Sequence, residues 1–525
     1  MRGKVTLVLM ALLAMSCSKE GMRSERDLDY DYGRNIPHDM IVLGDRLENP
    51  YKTENIEKAL HSLYPTKADR VDVKPTNLYV RFLPETEKEF ELLKGMTPFL
   101  MDHPLDYDIV VEGDWYHDPD VPEGNLTWQY AVVPKGFTFP SVRYEIIDEC
   151  YIAENDPGTR TDGIDWEAVE KESYRLTGNE DMLDYPATRS EKMQPAGRIT
   201  IVDEDYCEGK PVGVSGVTVS CNSFVKFDHA MTDRDGYYQM EKSFASEPRY
   251  RIMFKNEKGF SIGFNMVLVP ASVSTLGKSS PAGVDMTITE ESDDKLFRRC
   301  VVNNAAYDYF SRCSPEDLDI SQPPLDLRIW ILSGLESSSA AMMHHGAVVN
   351  SNLIEGFLGK YASLIQYFLP DITVGTKGLD SYKQIYSTTC HELSHASHFT
   401  KVGTAYWDMY VRYIMESYLE SGGMTYGDGS GESSGYCEIS EMWAYYLESK
   451  LYKGRYGGGY PNFGTSYWFY PQIFRYLDER GISASEIFSV LDVDVASKAG
   501  LKAALTSSYP EERTVIDQVF SRYQP

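Results

Sequence analysis

The segment Thr389-Cys390-His391-Glu392-Leu393-Ser394-His395 sets two histidines four apart with a glutamate beside the first. On a helix, residues four apart lie one turn from each other on the same face. Two imidazoles so placed can grip one metal ion, and the adjoining carboxylate of Glu392 can take a proton from a water at that ion. The chemistry on offer is metal-assisted hydrolysis with Glu392 as general base. The chain has ten histidines in 525 residues, so an accidental H-E-x-x-H is a roughly one-in-a-hundred event. The flanking residues add to the signal. At 100° per residue from His391, Ile385, Thr389, Leu393 and Ala396 fall at roughly 120–200°, opposite the histidines. The spacing predicts a helix over about 381–399 with a buried back and a histidine front.

A catalytic zinc takes three protein ligands and leaves one position for water, so a third ligand must come from elsewhere. His398 is about 20° from His391 in azimuth but roughly 10 Å further along the axis, too far to share one ion with both other histidines. It reads as a residue lining the cleft or behind the ligands, or as an ordinary, partly exposed histidine. The third-histidine spacing of metzincins fails, because position 398 is His where that pattern has Gly and position 401 is Lys. Further on, Cys437-Glu438-Ile439-Ser440-Glu441-Met442-Trp443-Ala444-Tyr445 offers two carboxylates about 60° apart on one predicted helix, flanked by apolar residues that suit a solvated face poorly. H-E-x-x-H followed on a later helix by E-x-x-A resembles the gluzincin type of zincin metallopeptidase. That resemblance implies Zn2+ held by His391, His395 and Glu441, with Ala444 at the small position and Glu392 as base. Glu438 is the alternative third ligand, and Tyr445 is a neighbour of the site. Gluzincins often supply a Tyr or His to the developing oxyanion, and the Tyr/Gly-rich stretch offers Tyr456, Tyr460 and Tyr467 without ranking them. The implied substrate is a peptide or protein.

The elements that must position these residues divide into a multidomain α+β organisation. Residues 36–195 alternate strand-like and helical segments: strands are expected at Leu78–Leu83, Trp128–Val133 and Val142–Ile147, and Thr86-x-x-Glu89 reads as a helix-opening capping box. The role of this N-terminal region is left open between a prodomain-like inhibitor, an interaction module and a plain structural domain. From 196 to 290 the texture is all-β. The order Gly197–Asp203, Pro211–Val219, Thr232–Tyr238 and Tyr250–Phe254 resembles the carboxypeptidase regulatory-like, Ig/transthyretin-like β-sandwich, an accessory domain of extracellular proteins. Asp233-x-Asp235-Gly236 reads as a turn, since it lacks the remaining ligands of a calcium loop. Residues 291–525 are predicted mainly helical and zincin-like, with helices over Lys295–Phe310, 381–399, Ala405–Glu420 and from near Glu438, and a strand over Leu325–Leu332.

The ends and the charge bound the setting. Met1-Arg2-Gly3-Lys4 is a basic start, Val5–Met15 is largely apolar but too short to span a bilayer, and Ala14-Met15-Ser16-Cys17 resembles a loose bacterial lipobox. The expected layout is a lipoprotein signal peptide over 1–17 with lipidation at Cys17 and a tether over 18–35. It is similar to that of zinc metallopeptidase lipoproteins of Bacteroides-like bacteria. Localisation is then exported, at the outer membrane or cell surface, with a periplasmic or secreted form as the alternative. Contact with membrane is expected through the lipid anchor alone. A net charge of −28 argues against nucleic acid or an anionic membrane bound through a basic surface. Beyond Cys17, seven cysteines remain, among which Cys207 with Cys221 and Cys300 with Cys313 are close enough in sequence to bridge. A second functional class fits the same layout: a surface binding or adhesion lipoprotein whose zincin-like domain is inactive or structural.

Overall fold

The computed structural model describes residues 40–523 apart from 67–70, 98, 123–124, 161–162, 184–192, 264–272, 292–293, 348–369, 421–425 and 459–466. Cys17 with its leader, the tether and Tyr460 lie outside the described residues.

In chain order the N-terminal region contains β1 (Val42–Arg46), α1 (Thr53–Leu63), β2 (Asn77–Leu83), α2 (Glu87–Met96), β3 (Tyr107–Val111), β4 (Gln129–Pro134), β5 (Arg143–Cys150) and α3 (Trp166–Leu176). β2 is the centre of an antiparallel sheet with β4 and β5 on either side, and β1 pairs with β3. The three strands expected here form within one residue of their predicted ends, except that β5 runs three residues further, to Cys150. Thr86 caps α2, its hydroxyl accepting from the Glu89 N–H at 3.2 Å. The return bond of the box is displaced by one residue, because the Glu89 carboxylate accepts from the Glu85 N–H.

The all-β stretch follows as β6 (Ala196–Ile201), β7 (Val212–Gly213), β8 (Thr218–Ser223), β9 (Lys226–Met231), β10 (Tyr237–Gln239), β11 (Arg249–Met253), β12 (Phe260–Ile262), β13 (Val273–Lys278) and β14 (Met286–Ile288). β10-β6-β14, with β7 beside β6, make one sheet, and β13-β11-β8-β9 make the other. Ile199, Val219, Cys221, Tyr250, Ile252 and Ile288 from the two sheets share a core. Asp233 forms the expected turn, its Oδ1 accepting from the N–H groups of Asp235 and Tyr237 at 2.9 Å. β12 leaves these sheets to pair in parallel with β15 (Leu327–Leu332), which pairs in parallel with β16 (Ile372–Gly375). One sheet thus joins the all-β stretch to the C-terminal region.

The C-terminal region is mainly helical: α4 (Asp294–Arg312), α5 (Tyr382–Glu420), α6 (Ser434–Tyr456), α7 (Gln472–Asp478), α8 (Ala484–Ser489), α9 (Lys498–Ser508) and α10 (Arg513–Ser521). α5 packs between α4 and α6, so the predicted histidine front is no more exposed than its back. Ile385, Cys390, Leu393 and Ala396 are fully buried, and His391, Glu392 and His395 are buried as well. Asp203, just after β6, ties the all-β stretch to the end of α6 by accepting from Arg455 and from Tyr456. None of the described helices is long and apolar enough to cross a membrane.

All seven cysteines after Cys17 are free thiols, which corrects the two suggested pairings. Cys300 sits in α4 and Cys313 directly follows it, so about 20 Å of helix separates them, well beyond the roughly 7 Å a disulfide tolerates. Cys207 is exposed in a turn while Cys221 is buried in β8, where its thiol contacts Met240 Sδ at 3.3 Å.

Candidate metal centre

The first half of α5 and the middle of α6 face each other, and three side chains converge between them. One ligand atom each from His391, His395 and Glu441 lies within 4.8 Å of the others, and this is a group that could hold a metal ion. His391 Nε2 stands 3.5 Å from Glu441 Oε2, and His395 Nε2 stands 3.5 Å from Glu441 Oε1. Atoms sharing one tetrahedral zinc at about 2.0–2.1 Å are roughly 3.3–3.4 Å apart, so the donor set and its spacing fit such an ion with little movement.

The groups around the triad fix its orientation. Glu448 Oε2 is 3.1 Å from His391 Nδ1, and its other oxygen accepts from the Ser387 hydroxyl. A carboxylate on Nδ1 holds the proton there and leaves Nε2 to face the ligand group. Burial pulls the His391 pKa down, but hydrogen bonds to Glu441 and Glu448 outweigh it and lift the value to about 10. His395, with one carboxylate instead of two, is dominated by burial and is lowered. Burial alone would raise Glu441, yet the charge of His395 and the hydrogen bonds from both histidines take it well below the usual carboxylate range. Glu441 is thus held as a carboxylate facing both imidazoles.

Glu392 is fully buried and lines a cleft of about 250 Å³ together with His391, Thr388, Tyr445, Glu448 and Ser338. Its carboxylate is near enough for its charge to raise His391. The cleft walls come from residues 336–448; among the described residues none of the N-terminal region reaches it. Tyr445 lies edge-on to His391 with ring centroids 4.5 Å apart.

The remaining site expectations fall out differently. Glu438 points away from the triad, accepting from the Lys498 N–H at 3.1 Å and pairing with its ammonium at 3.6 Å at the start of α9; three residues from Glu441 is enough rotation to face another helix. His398 is neither in the cleft nor partly exposed. It is fully buried behind His395, between Tyr406 and Trp407, with Nδ1 3.3 Å from the Ser440 hydroxyl. Burial takes its pKa down to about 3, so it is a neutral core histidine. Of the suggested tyrosines, Tyr456 is committed to Asp203, while Tyr467 stacks on Phe469 beside Tyr445. Sequence reasoning missed Glu448, although it lies seven residues after Glu441 and so on the same face. It also missed Tyr410 and Tyr426, whose hydroxyls donate to Glu441 Oε1 and Oε2 at 2.7 and 3.2 Å.

No protein-family model, curated protein or solved structure matches the chain.

Proposed function

We propose that the chain is a metal-dependent hydrolase, and within that class a zinc metallopeptidase of the gluzincin kind acting on a peptide or protein. The observation that carries this reading is the convergence of His391, His395 and Glu441 beside a second carboxylate residue, Glu392, that lines a cleft. A purely structural metal site has no use for Glu392. The chemistry a zinc ion supplies in such a site is acidification of a water and polarisation of the scissile carbonyl. Glu392 takes the water proton on its carboxylate and passes it to the leaving amine. Glu448 holds the His391 proton at Nδ1 throughout. Tyr445, whose side chain lines the same cleft beside His391, is the residue assigned here as donor to the developing oxyanion. The basic and apolar leader ending at Cys17 supports export with a lipid anchor at the outer membrane or cell surface, checked by mass spectrometry of the mature N-terminus.

The test is elemental analysis of the purified mature chain combined with cleavage of an unbiased peptide library. About one zinc per chain is expected. Glu392→Gln should keep that metal while hydrolysis falls about 10²–10⁴-fold. A chain that binds no metal, or a Glu392→Gln variant with undiminished cleavage, overturns the proposal.

A further inference from the structure

The carboxylate of Glu441 is held by more than the histidines. It is fully buried, and each of its oxygens both faces an imidazole at 3.5 Å and accepts from a tyrosine. Distance to the histidines does not choose between the two oxygens. The tyrosines do. The 2.7 Å bond from Tyr410 to Oε1 is of the length expected for a firm hydroxyl bond to an ionised acceptor, whereas the 3.2 Å bond from Tyr426 to Oε2 is longer than the usual range for two oxygens. An oxygen that already accepts a firm hydrogen bond has less electron density to give a metal. Tyr410 has little freedom to let go: it is buried, with Trp407 and His395 rings at 4.8 and 5.5 Å.

We propose that Tyr410 is a positioning residue that keeps Oε1 of Glu441 engaged, so that the carboxylate offers Oε2 as its single ligating oxygen and leaves a position for water. This rests on the proposed reading of the triad as a metal site. Tyr410 comes from the part of α5 beyond Gly403, so that segment is tied to the ligand set across the interface with α6.

Cobalt(II) loaded into the full-length chain reads the prediction directly, because its visible absorption is intense in four-coordinate sites, intermediate in five-coordinate ones and weak in six-coordinate ones. The parent chain should give intense bands. Tyr410→Phe should lower them to the five-coordinate range as the freed Oε1 joins. Tyr426→Phe should keep the four-coordinate spectrum, since Oε2 then remains the ligand. Tyr406→Phe, which loses a buried hydroxyl bonded to the Val495 carbonyl at 3.1 Å on the same helix, should also keep it. Tyr410→Phe with the parent spectrum overturns this inference and leaves the metal site standing. Bands lowered from the four-coordinate range in Tyr426→Phe or Tyr406→Phe also overturn it, and these variants decide the matter if Tyr410→Phe fails to fold. A parent chain that takes up neither cobalt nor zinc overturns the metal reading and this inference together.

Discussion

The carboxylates of α6 acquire different roles from their angular positions alone. Glu441 and Glu448, seven residues apart, point at α5 within about 20° of each other, and Glu438, three residues before Glu441, turns to Lys498. Glu448 meets His391 Nδ1, and contacts of that kind to metal-binding histidines are worth about 10- to 100-fold in metal affinity. Glu448→Gln is therefore expected to lose about that much in competition with a chromophoric chelator, at unchanged helix content. An unchanged affinity would leave the contact without a role. Residue types and spacing made His391, Glu392, His395 and Glu441 legible because each sits in a short motif with a mechanism attached. Glu448 belongs to no such motif, and only the histidine across the helix interface reveals what it does. Of the three places open to His398, only the one behind the ligands is taken, for the complementary reason. Its azimuth relative to His391 is right, but position along the axis puts it under Tyr406 and Trp407, and helical counting within one element cannot show what another segment lays over it.

Between elements, the decisive feature is the break in α5. Two helices were expected either side of residues 400–404, and the structure runs almost unbroken from Tyr382 to Glu420 with a single non-helical residue, Gly403, at φ 77°, ψ 179°. That backbone region belongs almost exclusively to glycine and costs other residues about 1–3 kcal/mol. A Cβ there would meet nothing within 4 Å, so the cost of Gly403→Ala is backbone strain and not a clash. The expected result is a loss of about 1–3 kcal/mol in denaturant unfolding, with weaker metal binding because the segment bearing Tyr410 is re-aimed. Unchanged stability would mean that the helix runs straight through. The break also explains why Tyr410 could not be found by counting from His391, since Gly403 resets the helical register. The sequence predicts a start of α6 near Glu438, and the helix begins at Ser434. Ser434-Gly435 reads as loop, but Gly435 is needed because a Cβ would fall 2.0 Å from the Ala496 carbonyl. Here glycine marks close packing and not the end of a helix.

Across the whole molecule, buried charge ties the N-terminal region to the rest. Asp114 pairs with Arg299 and Lys295 of α4, and Lys226 of β9 pairs with Glu154 and Glu170. Burial would raise Asp114 and Glu154, but the adjacent cations outweigh it and both pKa values are lowered. Glu170, more deeply buried and beside Glu154, is raised by burial and opposes them. Burial would lower Lys226, and its two carboxylates hold it above its ordinary 10.5 instead. A lowered carboxylate contributes fully above its unfolded value and loses that contribution as pH falls through the folded one; a raised lysine contributes fully below its unfolded value and loses it as pH rises through the folded one. With ordinary values of 3.8 for Asp114 and 4.5 for Glu154, the stabilisation these two carboxylates contribute is expected to be complete above about pH 5 and to be lost below about 4.5. Lys226→Met leaves Glu154 and Glu170 together without their cation, and removing one partner of a buried pair costs about 3–5 kcal/mol. Because those carboxylates then favour protonation in the folded state, the deficit of the variant should shrink as the pH is lowered from 7 towards 4. Thermal unfolding of parent and variant across that range checks both the size and the sign. Equal melting temperatures at pH 7 would show that the Lys226 pairs add no net stability, and a deficit that widened on acidification would place the stabilising charge elsewhere.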